Sequence, residues 1–160
     1  MDHDTQTEQQ PSEAQAARRR RKAIYLLPNL FTTGALFAGF FAIVTAVQGN
    51  FVAAALAVFV AMVLDGLDGR VARLTGTESE FGIQFDSLSD VVSFGIAPAL
   101  IVYLWSLQGM GDRWGMLGAF VFAAAAAIRL ARFNVQVDTV DKGYFVGLAS
   151  PAAAAVLMGM

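Results

Sequence analysis

The chain has 160 residues, 56% of them hydrophobic and 15% charged, with a formal net charge of -2. That balance lies to the apolar side of a soluble domain, and the excess falls in blocks long enough to cross a bilayer. There is no cysteine, and the single histidine, His3, lies in a polar N-terminal stretch. Disulfides, thiolate chemistry and histidine-based zinc or covalent catalysis are thereby excluded from the core.

Residues 1–17, "MDHDTQTEQQPSEAQAA", are polar and aperiodic and read as a disordered cytoplasmic tail. The basic run Arg18 to Lys22 follows and leads into the first apolar block, about Leu26 to Val47. With no small-residue cleavage site ahead of a soluble domain, this reads as an uncleaved first span. The second span is Phe51 to about Arg73, the third about Phe85 to Leu107, and the fourth Trp114 to about Asn134. Pro98 is expected to kink the third. A fifth block starts near Leu148 and reaches Met160, too short to cross, so the chain is expected to be C-terminally incomplete. Residues 18–160 thus form one all-α, polytopic transmembrane bundle. With the N-terminus in the cytoplasm, ten of the eleven Lys and Arg residues fall on the inner side and only Arg113 outside. The arginine cluster would sit against anionic headgroups.

Four aspartates break the apolar pattern at one depth. Span two runs for 14 apolar residues, about 21 Å, before Asp65, and span four for 15 residues, about 22 Å, before Arg129. From Asp90 to the end of span three is about 25 Å. Against a hydrocarbon core of about 30 Å, all three helices carry charge to a level just inside the cytoplasmic face. Asp65 and Asp68 are three apart, and Asp86 and Asp90 four apart, so each pair shares a helical face. Two carboxylates at about 4 Å repel by roughly 4 kcal/mol at an effective dielectric of 20. Asp65 and Asp68 also lie near a helix C-terminus, which disfavours anions. A divalent cation reverses that balance, and hard oxygen donors without His or Cys point to magnesium, manganese or calcium. Four carboxylates suffice for two ions. Taken singly, each aspartate also fits a solvated helix end; the matched set does not. Glu78 and Glu80 read as solvated loop residues. Gly34, Gly39, Gly95 and the alanines 123–127 read as close-packing positions.

The pattern D-x-x-D-G-x-x-A-R, eight residues, G-x-x-x-D-x-x-x-D is filled by Asp65, Asp68, Gly69, Ala72, Arg73, Gly82, Asp86 and Asp90. It resembles the signature of the CDP-alcohol phosphotransferases. "LPNLFT" at 27–32, "FDSLSDVVSFGIAPA" at 85–99 and "RLARFNV" at 129–135 extend the likeness, over about 18–160, to the serine-accepting branch. The resemblance implies a core of about six spans, of which about five are visible here. It implies that Asp65, Asp68, Asp86 and Asp90 hold two magnesium or manganese ions and that Asp90 is also the general base. Asn29, Asp68, Gly69, Ala72, Arg73 and Gly82 would line the CDP pocket. The reaction implied is transfer of the phosphatidyl group from CDP-diacylglycerol to the L-serine hydroxyl, releasing CMP. Its setting would be the cell membrane, with the site on the cytoplasmic side, in a homodimer with no nucleic-acid partner.

For the serine carboxylate, Arg129, Arg132 and Asn134 are the candidates at the inner end of span four. A buried arginine fork fits that role, and membrane anchoring by snorkelling arginines fits equally. Ser87, Ser89 and Ser93 either touch ligand or pack helices. The rivals are a different acceptor, glycerol phosphate or inositol phosphate, and an ion-coupled transporter. Transporters place their carboxylates nearer the midplane, between repeats, and no repeat is present here.

Overall fold

A computed structural model describes residues 13–76, 79–136 and 150–159. Six helices follow in order: α1 Glu13–Val47, α2 Phe51–Thr75, α3 Glu80–Asp90, α4 Ala97–Trp105, α5 Asp112–Gln136 and α6 Ser150–Met158. A π-helical segment, Val91–Ile96, joins α3 to α4 without a break, and a 3-10 turn, Leu107–Met110, precedes α5. No strand occurs among the described residues. Four stretches are long and apolar enough to cross a membrane: Asn29–Val47, Phe51–Thr75, Glu80–Trp105 and Arg113–Val135.

The architecture inverts the rule for soluble proteins. Ala38, Ala42 and Ala46 of α1 are buried together with Ala54, Ala57, Val58 and Ala61 of α2 in one cluster. Their three- and four-residue spacing puts a smooth stripe on each helix, so the backbones approach closely. The large side chains point away: Phe37, Phe40, Phe41, Leu56, Val60 and Val63 are exposed. In lipid that outer face needs no protein cover, because acyl chains are as apolar as the side chains they meet. The turns are built by local chemistry. Gly49, at φ +82°, reverses the chain after α1, and the Asn50 side chain accepts the Ala53 N–H to cap α2. Gly76, at φ +61°, closes α2 by donating its N–H to the Ala72 carbonyl.

Four expectations change. Helix α1 begins at Glu13, inside the stretch read as tail, because "EAQAARRRRK" is rich in strong helix formers and runs into the span without a breaker; residues 1–12 lie outside the described residues. Span three starts at Glu80, because the Ser79 hydroxyl accepts the Gly82 N–H and caps α3 there. Glu80 is therefore the first residue of a helix, not part of a loop, although it is exposed as expected; Glu78 lies outside the described residues. The distortion of span three lies upstream of Pro98: Ala97 N–H bonds the Val92 carbonyl five residues back. Proline has no N–H for the carbonyl four residues earlier, and its ring crowds that turn, so the helix widens before it. Of the fifth block, the described part is the nine-residue α6.

Candidate metal and nucleotide site

The acids converge because two helices enter the same level from opposite directions. Asp65 lies nearly three turns and Asp68 about two turns before the end of α2, and Asp86 and Asp90 lie in the second half of α3. One carboxylate oxygen from each of Asp65, Asp68 and Asp86 falls within 4.8 Å of the others. Asp65 also contacts Asp90, so the fourth acid joins on its flank. Asp90 is the last residue of α3, immediately before the π segment. π turns are frequent at functional sites, where they re-aim a side chain.

Three facts test whether a divalent cation fits here. The donors are all carboxylate oxygens, suited to a hard cation. Like charges at about 5 Å cost on the order of 3 kcal/mol per pair at an effective dielectric of 20. And Oδ1 of Asp86 and Oδ1 of Asp90 are buried without a hydrogen-bond partner. Buried carboxylate oxygens left unpaired beside other carboxylates are what a metal site presents before its ion is counted. The residues fit the group.

Asp68 is held differently. It is 4% exposed, and its Oδ2 accepts a 2.7 Å hydrogen bond from the Thr32 hydroxyl of α1. Thr32 also offers its carbonyl to the Ser89 hydroxyl of α3, at 3.3 Å. Four residues on, Ser93 donates to the Ala35 carbonyl at 3.1 Å. Ser89 and Ser93 are thus buried and bonded to α1. Thr32 was not singled out from the sequence. The available signal was its place in "LPNLFT", one turn after Asn29 and so on the same face.

The nucleotide-side candidates lie on both flanks of the acids. Gly69 and Ala72 are half-buried on α2. Arg73 is exposed and folds back, its Nε donating to the Gly69 carbonyl at 3.1 Å. On α3, a Cβ added to Gly82 would lie 3.5 Å from Asn29 Oδ1, so Asn29 of α1 stands against the glycine. Both glycines leave room where a side chain would intrude between neighbours and any ligand.

Of the acceptor-side candidates, Asn134 reaches the acid helix: its Nδ2 donates to the Ser87 hydroxyl at 2.8 Å, one residue from Asp86. Arg129 is half-buried, while Arg132 is exposed as an anchor would be.

The comparisons agree with this geometry. A family model described as CDP-alcohol phosphatidyltransferase matches residues 25–160. A relative from Helicobacter pylori strain J99, named CDP-diacylglycerol--serine O-phosphatidyltransferase, is 50% identical over 135 residues, or 84% of this chain and 56% of the relative. Relatives of the same name from Mycobacterium leprae and Saccharomyces cerevisiae are 36% and 38% identical. They align over 89% and 78% of this chain, and over 48% and 49% of their own lengths. The chain spans about half the length of the curated relatives it matches.

Proposed function

We propose that this chain, which belongs to the CDP-alcohol phosphatidyltransferase family, carries the active site of a CDP-diacylglycerol–serine O-phosphatidyltransferase. The observation that carries the reading is the meeting of the Asp65, Asp68 and Asp86 carboxylates within 4.8 Å, with Asp90 beside them, in the half of the bundle nearer the link between α2 and α3. CDP-diacylglycerol joins a water-soluble nucleotide to two acyl chains through a pyrophosphate, so its reacting phosphorus has to lie at a bilayer edge. All four acids lie in the halves of Phe51–Thr75 and Glu80–Trp105 nearer the link between α2 and α3, and this shared offset toward one side of the bundle favours this chemistry over ion transport.

Asp65, Asp68, Asp86 and Asp90 would hold the metal, in this reading two magnesium or manganese ions, which supply charge neutralisation to the pyrophosphate and to departing CMP. The protein's own residues do the rest. Gly69, Ala72 and Gly82 give the nucleotide close approach to the helix backbones, while Asn29 and Arg73 border it. The serine hydroxyl oxygen bonds to the phosphorus that bears diacylglycerol, and the bond from that phosphorus to the bridging oxygen breaks. Asp90 takes the hydroxyl proton; its buried Oδ1, with no competing donor, suits a base. CMP leaves with the bridging oxygen, and phosphatidylserine remains. Phosphoryl transfer needs positioning and charge more than covalent help, and the described residues include no cysteine or histidine to form a covalent intermediate. Arg129 and Asn134 border the acceptor side and orient the serine carboxylate. The site faces the cytoplasm of a cell membrane protein, and the exposed apolar face of α5 is available to a second copy in a homodimer.

The complete natural protein, purified with CDP-diacylglycerol and manganese, is given serine, glycerol phosphate or inositol phosphate while CMP is followed. Serine-dependent CMP that EDTA abolishes supports the assignment. CMP released only with another alcohol overturns serine as acceptor. No CMP with any alcohol overturns the transferase reading.

A further inference from the structure

We propose that Thr32 is a positioning residue for the metal site, fixing Asp68 through its hydroxyl and the Asp90 end of α3 through its carbonyl. The inference rests on the reading of the aspartates as metal ligands.

Inside a transmembrane helix a hydroxyl has no water to bond. Its usual partner is a carbonyl one turn back on the same helix. Thr33 and Thr45 do this, donating to Asn29 O at 2.6 Å and to Phe41 O at 2.7 Å. The Thr32 hydroxyl reaches another helix as well, donating to a carboxylate oxygen in a buried setting. A hydrogen bond to a charged acceptor is about twice as strong as one between neutral groups, and burial strengthens it further.

Its target matters. Asp68 is the least exposed of the four acids and has two like charges, Asp65 and Asp86, within 4.8 Å that repel it. With Oδ2 occupied by Thr32, the carboxylate keeps one rotamer and its other oxygen remains for the metal. Groups that hold a ligand in this way typically change metal affinity ten- to a hundredfold when removed.

The carbonyl of the same residue takes the Ser89 hydroxyl, and Ser89 is the residue before Asp90. One residue of α1 thus touches both acid-bearing helices at the level of the acids. Helix α1 packs along α2 and also meets α3. It therefore sets the separation between the Asp65–Asp68 pair and the Asp86–Asp90 pair.

The test compares the complete protein with Thr32→Val, which keeps shape and loses the hydroxyl, and Thr32→Ser, which keeps the hydroxyl. Manganese binding is read by the paramagnetic resonance signal of free Mn2+ in the substrate-free protein, with thermal unfolding recorded in EDTA. The expected result is Mn2+ affinity about ten- to a hundredfold weaker in Thr32→Val and within about threefold of wild type in Thr32→Ser. Wild-type affinity in a folded Thr32→Val overturns the role of Thr32 alone, and so does equal weakening in both variants, which a purely structural contribution would give. No Mn2+ binding by the wild type overturns the metal reading itself. If Thr32→Val does not fold, Thr32→Ala, which adds no bulk, answers the same question.

Discussion

Replacing Gly39 by alanine adds a single methyl group, yet the structure assigns it a large effect. A Cβ at position 39 would lie 2.5 Å from the Ser93 Oγ, 2.8 Å from the Ser93 Cα and 3.0 Å from its Cβ. Turning the serine side chain relieves only the first contact, because the second is backbone. Carbon atoms rest at about 3.5–4.0 Å, so α1 and the π segment must part by roughly 0.7–1.2 Å. Overpacking of this kind costs about 1–3 kcal/mol of stability. Ser93 is one turn beyond Asp90, so the same displacement carries the proposed base away from Asp65. A misplacement near 1 Å at a reacting group lowers turnover on the order of a hundredfold. The assay is serine-dependent CMP release from the complete protein in lipid vesicles, alongside thermal unfolding. Gly118→Ala is the control: it lies in α5 with nothing within 4 Å of an added Cβ, and is expected to be neutral or to stabilise by up to about 1 kcal/mol. Wild-type stability and turnover in Gly39→Ala would refute the packing argument. Lost stability with unchanged turnover would refute its transmission to Asp90.

Asp90→Asn keeps shape and removes the base, so CMP release should fall about a hundred- to ten-thousandfold; an unchanged rate removes Asp90 from that role. Asp65→Asn should raise the melting temperature in EDTA, since it relieves repulsion of up to about 3 kcal/mol per neighbouring acid, and lower it relative to wild type in manganese; the same sign in both buffers contradicts a metal site. Asn134→Ala and Ser87→Ala should each cost about 1 kcal/mol, and the double variant no more than either alone, as a double-mutant cycle by thermal unfolding would read. Asn50→Ala loses the cap of α2 at the far end of the bundle, so stability should drop by about 1 kcal/mol with CMP release intact.

The acids and spans were legible for one reason: charge in an apolar run is costly, so its positions along each helix report depth directly. Asp65, Asp68 and Asp86 could be brought together from spacing and rise alone. What the sequence hid were contacts that cross between helices. Thr32 and Thr33 are identical as letters, but the Thr33 hydroxyl donates to its own helix while that of Thr32 reaches a carboxylate on α2. Ser87 and Ser89, two residues apart, face different helices: Ser89 donates to α1, and Ser87 accepts from Asn134 of α5. Such assignments depend on which face each helix turns inward, and that is decided by the alanine stripes packing together. The π segment was hidden for a related reason. Pro98 announced a distortion, but the letters alone did not say that it is taken up upstream, over Val91–Ile96, where the Ala97 N–H bonds the Val92 carbonyl.

The link between α2 and α3 bears on how this site tolerates change. From Asp68 to the end of α2 is about 10 Å of helix, and from the start of α3 to Asp86 about 9 Å. The two arms are nearly equal, and only the stretch from Gly76 to Ser79 joins them. Equal arms on a short joint work as a caliper. One residue inserted into α3 between Ser79 and Asp86 turns both following acids by about 100° around their helix and slides them about 1.5 Å, enough to face them away from Asp65. The helical spacing from the Ser79 cap to Asp86 is thus a ruler, and shortening or lengthening it disables the site even with every named residue still in place.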